Sequence, residues 1–280
     1  MKVETLQVCK LSAGYKGKRI VRDVSFEVKA GEVCALLGPN GSGKTTILRC
    51  IAGVMRPISG SVLINGKNMR DHMVKLIGYL PQSIEGKLKI TVIEYILLGM
   101  AINKGFWKVR KEDVEVAHEA LVTLGIENLA LKNLDELSGG QRRLCDIALV
   151  LAKKPEILIL DEPTSSLDIK NSFDVLETIR SVTKAEKLIT LIALHDLNHA
   201  MEFSDHCAVL NSGKLITFGN PVEVLSPQLV EKVYGIYVEK ISINGNKRLV
   251  TLGSASCGRI KGIIDYEEKK DEKDDIAIYI

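Results

Sequence analysis

Gly38-Pro39-Asn40-Gly41-Ser42-Gly43-Lys44-Thr45, set between the apolar run Val33–Leu37 and a helical stretch of about 45–52, decides the fold of this chain. The eight residues fit the pattern GxxxxGK[ST]. Its glycines let backbone N–H groups converge on phosphate oxygens, and the start of the following helix adds the positive end of its dipole. In that pattern Lys44 reaches the β- and γ-phosphates of a nucleotide and the Thr45 hydroxyl binds Mg²⁺, with Thr46 next in the ATP-binding set. Val33–Leu37 is apolar throughout, as expected of a strand buried on both faces. A buried strand, a glycine-rich loop and a helix, in that order, are the context such a loop requires.

Downstream, four apolar residues at 157–160 end in Asp161-Glu162. The C-terminal ends of strands in a parallel sheet face the ligand crevice. There Asp161 can hold Mg²⁺ and Glu162 can polarise an attacking water. Leu137-Ser138-Gly139-Gly140-Gln141 precedes another helix. Ser138 makes a good N-cap. With the glycine amides and the helix start it also makes a second anion site, about a hundred residues from the first.

Continuous apolar runs at 157–160, 188–194 and 207–210 alternate with helical stretches at 169–182 and 197–203. This implies a parallel sheet wrapped by helices. Short strands at 6–8 and 24–28, a strand at 61–64 and an Asn65-Gly66 hairpin turn suggest a small antiparallel part. Residues of about 83–152 change character. They read as helices at 91–100, 109–124 and 139–152, with Val114, Ala117, Leu121 and Leu124 as the apolar face of the second. That stretch is expected to form an arm inserted into the core. After about residue 235 the pattern weakens. Residues 267–275 mix both charge signs like a solvated tail, and the apolar 276–280 suit an edge strand.

The 280 residues, 46% hydrophobic and 26% charged, suffice for a full α/β core with a small subdomain or tail. The net charge of +3 is spread along the chain, which does not ask for nucleic acid. No apolar run reaches transmembrane length and the N-terminus lacks the core of a signal peptide. The expected place is therefore the cytosol or the cytosolic face of a membrane partner. Six scattered cysteines without a CxxC pair read as reduced, mostly buried thiols. His195 and His199 stand at the i, i+4 spacing of zinc ligands, but Asp196 replaces the glutamate of HExxH and His195 falls at a strand end. His199 reads as a surface helix residue, as do His72, His118 and His206.

Together these motifs resemble the ATP-binding subunits of ABC transporters, over roughly residues 3–250. The resemblance implies a P-loop NTPase core with a small antiparallel β part and an inserted α-helical subdomain. It sets the ATPase domain at 1–240, the helical subdomain at about 83–152 and a C-terminal extension at 241–280, partly disordered or an edge strand. It also implies ATP hydrolysis by a head-to-tail dimer, in which Ser138, Gly139, Gly140, Gln141 and Asp168 of one copy complete the phosphate site of the other. Gln82 matches the glutamine that senses Mg²⁺, His195 the histidine at the γ-phosphate, and Tyr15 the aromatic that stacks on adenine. After LSGGQ the family often continues Arg-Gln-Arg-apolar. Arg142-Arg143-Leu144-Cys145-Asp146 departs from this and is expected to make the outer face of that helix unusual. Segments such as LIGYLPQ, TVIEYILLG and HDLNHA resemble importers of iron–siderophore, haem and cobalamin. Those pair two ATPase copies with two membrane-spanning permease subunits fed by a binding protein, on the cytoplasmic face of the membrane. An importer for another metal or anion, an exporter, and a soluble non-transport ATPase are the alternatives. A patch around 83–110 that includes Phe106 and Trp107 is expected to receive the permease.

Overall fold

The computed structural model describes residues 2–15, 17–69, 71–82, 89–101, 109–243, 245–254 and 258–259. The chain opens with β1 (Thr5–Tyr15) and β2 (Lys18–Lys29), an antiparallel pair longer than the two short strands expected. Next come β3 (Val33–Leu37), the glycine-rich loop and α1 (Lys44–Ile51). A turn leads to β4 (Ser59–Ile64), which reverses at Asn65-Gly66 into β5 (Lys67–Asn68). Strand β6 (Ile77–Leu80) follows. The arm then supplies α2 (Val92–Ala101), α3 (Lys111–Thr123) and α4 (Gly139–Leu151). The alternating region continues with β7 (Ile157–Asp161), α5 (Ile169–Glu186), β8 (Ile189–Ala193), α6 (Leu197–Phe203), β9 (His206–Asn211) and β10 (Lys214–Gly219). It closes with α7 (Pro221–Val224), α8 (Pro227–Tyr234) and a C-terminal meander of β11 (Ile236–Ile243), β12 (Asn246–Ser254) and β13 (Gly258–Arg259).

The central sheet has the order β10-β9-β3-β8-β7-β6. The β9-β3-β8-β7-β6 pairings are parallel and β10 joins antiparallel at the edge. Because side chains alternate across a strand, each strand feeds two cores. Val33, Ala35 and Leu37 of β3, with Leu158 and Leu160 of β7, point to the face covered by α4, α5 and the arm. Cys34 and Leu36, with Ile157 and Ile159, point to the face covered by α1 and the antiparallel sheet β2-β1-β4-β5. Burial on both faces is why these strands read as unbroken apolar runs. The thiols of Cys34, Cys50, Cys145 and Cys207 lie in these cores, and burial pushes Cys145 and Cys207 up to about 12.

The arm is tied at its root. Val92 N–H donates to Lys132 O at 3.0 Å, and Leu134 N–H to Ile90 O at 3.1 Å. Helices α2 and α4 cross closely at Gly99, where a Cβ would stand 2.3 Å from Leu149 Cδ1. Ala117, Leu121 and Leu124 of the α3 region are buried as expected, but Val114 is 40% exposed. Ala120 takes its place in the packing against α2 and α4.

The meander was not foreseen. Residue 240, the expected end of the ATPase domain, lies inside β11. Strand β12 is fastened to α6 by Asn198, whose Nδ2 donates to Leu249 O at 3.0 Å and whose Oδ1 accepts from Leu249 N–H at 2.8 Å. Residues 276–280, with Phe106 and Trp107 of the expected permease patch, lie outside the described residues.

Candidate active site

The glycine-rich loop runs from the C-terminal end of β3 to the start of α1 and walls a cavity of about 130 Å³ lined by Ile20, residues 40–46 and Glu162. Two glycines carry conformations and approaches that a side chain would prevent. Gly38 has φ 143° and a Cβ there would lie 2.2 Å from Leu210 O; Gly43 has φ 107° and a Cβ there would lie 2.7 Å from Val21 Cγ2. The β9–β10 turn braces the loop from behind, with Gly213 N–H donating to Ser42 O at 3.2 Å.

Lys44 folds back into the loop, where Nζ donates to Gly38 O at 2.8 Å and Pro39 O at 3.4 Å. Burial lowers it from the usual lysine value, against the opposing pull of Glu162 and Asp161. Thr45 Oγ1 donates to Asp161 Oδ1 at 3.1 Å. Burial raises the Asp161 carboxyl above the usual carboxylate range, opposed first by the hydrogen bond from Thr45. Ser42 Oγ is buried without a partner among the described residues. Hydroxyl and carboxylate oxygens gathered here are the donor set a hard cation such as Mg²⁺ prefers, and the unpaired Ser42 hydroxyl leaves capacity for a ligand.

Glu162 follows Asp161 at the end of β7 and is gripped on both oxygens. Gln82 Nε2 donates to Oε2 at 2.6 Å. His195 Nε2 stands 2.6 Å from Oε1, with His195 half exposed and the Glu162 side chain only 13% exposed. Gln82 comes from the end of β6 and His195 from the end of β8, so three neighbouring parallel strands bring these side chains to one point. The arrangement places the Glu162 carboxylate in the lining of the loop's cavity, with the His195 imidazole against it.

Ser138, Gly139, Gly140 and Gln141 do not line that cavity. They cap α4: Gln141 N–H donates to Ser138 Oγ at 3.3 Å and Ser138 N–H to Gln141 Oε1 at 3.2 Å. Asp168 caps α5, accepting from Asn171 N–H at 2.7 Å. A Cβ on Gly140 would stand 2.7 Å from Asn171 Oδ1, so the two caps adjoin. Ser138, Gly139 and Asp168 are all exposed. Tyr15 is 45% exposed and also outside the cavity lining, with its hydroxyl accepting from Arg49 Nη1 at 3.2 Å. No cluster of metal-ligating side chains includes His195 and His199 among the described residues.

One expectation about α4 is overturned. Arg143 and Asp146 do not lie on its outer face; they are 8% and 6% exposed. Arg143 sits four residues before the buried Ile147, and that helical spacing was available in the sequence. The charge on Arg143 masked it. Arg49, which holds Tyr15, was also not foreseen.

The family model described as "ABC transporter" matches residues 21–165. The chain is 36% identical over 251 residues to the ferric enterobactin transport ATP-binding protein of Escherichia coli K12, covering 87% of this chain and 92% of that one. It is 34% identical to the iron(3+)-hydroxamate import ATP-binding protein of Bacillus subtilis 168, covering 86% and 91% of the two chains. Among solved structures, the ADP conformation of an ATP-binding cassette of an ABC transporter superposes with a TM-score of 0.76 at 26% identity, covering 84% of this chain and 98% of that chain. No described helix is long and apolar enough to cross a membrane. The chain belongs to the ABC transporter family as an ATP-binding subunit, an ATPase coupled to transport.

Proposed function

We propose that this subunit drives import of an iron complex (a siderophore or haem) or of cobalamin, with Glu162 as the catalytic carboxylate. The observation that carries the catalytic part is Glu162 held between Gln82 and His195 at 2.6 Å each, beside the phosphate loop. The cargo rests on relatives named for ferric enterobactin, petrobactin and iron(3+)-hydroxamate.

In this reading Lys44 exchanges its bonds to Gly38 O and Pro39 O for β- and γ-phosphate oxygens. Tyr15 stacks on the adenine. Glu162 accepts a proton from the attacking water and aligns the water oxygen with the γ-phosphorus; the new P–O bond forms as the bond to the β–γ bridging oxygen breaks and ADP leaves, while His195 turns to the γ-phosphate. Catalysis here is positioning and charge stabilisation. Thr45, Asp161 and Gln82 would hold Mg²⁺; the Gln82 amide nitrogen is engaged by Glu162, which leaves its carbonyl oxygen free for a cation. A bound Mg²⁺ would supply positive charge against the phosphates. Ser138 and Asp168 are exposed and outside their own chain's cavity, which fits donation to the site of a second copy. Hydrolysis then opens the dimer, and the helical subdomain of about 83–152 passes the motion to two permease subunits at the cytoplasmic face of the membrane.

The test is uptake by liposomes holding the chain with its co-purified membrane subunits and binding protein. ATP-dependent uptake of a ferric siderophore, haem or cobalamin is expected, with loss on Glu162→Gln. Uptake of phosphonate in their place, the cargo named for a 32% identical relative from Alcaligenes faecalis, would overturn the cargo. Undiminished turnover by Glu162→Gln would overturn the catalytic reading.

A further inference from the structure

The backbone that presents Glu162 is held in a conformation its own sequence resists. Glu162 has φ 51°, a left-handed setting that the Cβ of a non-glycine residue disfavours and that persists only where the surroundings impose it. Arg143 supplies the imposing contacts. Its Nε donates to Pro163 O at 3.0 Å and its Nη2 to Asp161 O at 3.4 Å, the carbonyls on either side of Glu162. The same Nη2 donates to Pro81 O at 3.3 Å, the carbonyl just before Gln82. One guanidinium therefore braces the main chain next to both partners of the Gln82–Glu162 hydrogen bond.

A buried guanidinium needs a counter-charge. Asp146, one turn along α4, provides it, with Oδ2 3.8 Å from Arg143 Nη1. Asp146 Oδ1 accepts from the Tyr95 hydroxyl at 3.0 Å and lies 3.4 Å from Arg142 Nε. The Arg142 guanidinium rests 4.8 Å above the Tyr95 ring. The chain of contacts thus runs from α2 of the arm, through α4, to the loop after β7, and every member has a partner.

We propose that Arg143 is a positioning residue for ATP hydrolysis: it sets the backbone at Glu162 and Gln82, and Asp146 and Tyr95 hold its guanidinium in place. The inference rests on Glu162 being the catalytic carboxylate. Lysine cannot replace it, because one ammonium lacks the planar fork that reaches three carbonyls at once.

The test compares kcat and the KM for ATP in the assembled transporter for Arg143→Lys and for the charge-neutral pair Arg143→Gln with Asp146→Asn. The pair removes the charges of Arg143 and Asp146 together, leaves the partly exposed Arg142 over the Tyr95 ring, and carries the test if Arg143→Lys fails to fold. A fall in kcat of about tenfold to a hundredfold, the scale of a misplacement near 1 Å, is expected with KM within about twofold. Added to Glu162→Gln, either change should lower residual single-turnover hydrolysis no further. Unchanged kcat, a rise in KM without loss of kcat, or an equal further loss on the Glu162→Gln background would overturn the proposal. Full turnover by Glu162→Gln alone would instead remove the reading on which it rests.

Discussion

Lys44 shows how a single side chain is prepared for its ligand. Its ammonium is already out of water, held by two loop carbonyls and lowered by burial. Phosphate oxygens can therefore take it over without a fresh desolvation cost. Removing a charge-assisted contact of this kind loses about 2 kcal/mol or more, roughly thirtyfold in Kd. Lys44→Ala should show that loss for ATP by isothermal titration, with the melting temperature of the ligand-free protein little changed; an unchanged Kd would remove Lys44 from the site. The residues at this scale differ in how far the sequence revealed them. Lys44, Thr45, Asp161 and Glu162 were legible because fixed spacing next to an apolar strand is a local signal. Arg143 was not, because its partners, the carbonyls of Pro81, Asp161 and Pro163, are backbone atoms from distant segments that no side-chain pattern marks. Tyr15 was named from the family resemblance alone; it lies outside the cavity lining, and its anchor Arg49 is 34 positions away.

At the scale of elements, the parallel strands were found almost to the residue, since burial on both faces leaves an unbroken apolar run. Helix α6 has the bounds expected of it, and Asp196 caps its start by accepting from His199 N–H. The meander β11–β13 escaped notice because its burial pattern is weak, with Val238 and Leu249 its only fully buried apolar side chains among the described residues. Such strands are held by specific polar contacts rather than by a hydrophobic stripe. Asn198 is the test of this. It satisfies both main-chain groups of Leu249, a residue only 7% exposed. Asn198→Ala should leave those groups unpaired and cost about 1–3 kcal/mol, lowering the thermal midpoint by about 2–4 °C for each kcal/mol. The affinity for ATP should stay unchanged. A midpoint equal to that of the parent protein would mean that the meander is not fastened at this point.

At the scale of the molecule, the phosphate loop and the cap of α4 do not share a cavity. The phosphate loop walls its own cavity, whereas Ser138 and Asp168 are exposed and absent from that lining. On the proposed reading each copy would offer a half-site to another, and ATP bound between two half-sites would link the copies by mass action. Hydrolysis in the parent protein would then remove the link. Glu162→Gln keeps the side-chain shape and the phosphate loop but removes the carboxylate, so the linked state should accumulate. The variant with ATP and Mg²⁺ should sediment as a dimer whose fraction rises with protein and ATP concentration, and should return to monomer when ATP is washed out. Adding Ser138→Arg to Glu162→Gln should abolish that dimer, because it removes the α4 cap and puts bulk at the half-site. ATP affinity of the monomer should fall little, since Ser138 takes no part in its own cavity. A monomer at every ATP concentration in Glu162→Gln would argue against shared sites. A dimer that survives Ser138→Arg would place the interface elsewhere and leave the exposed cap of α4 without a role in it.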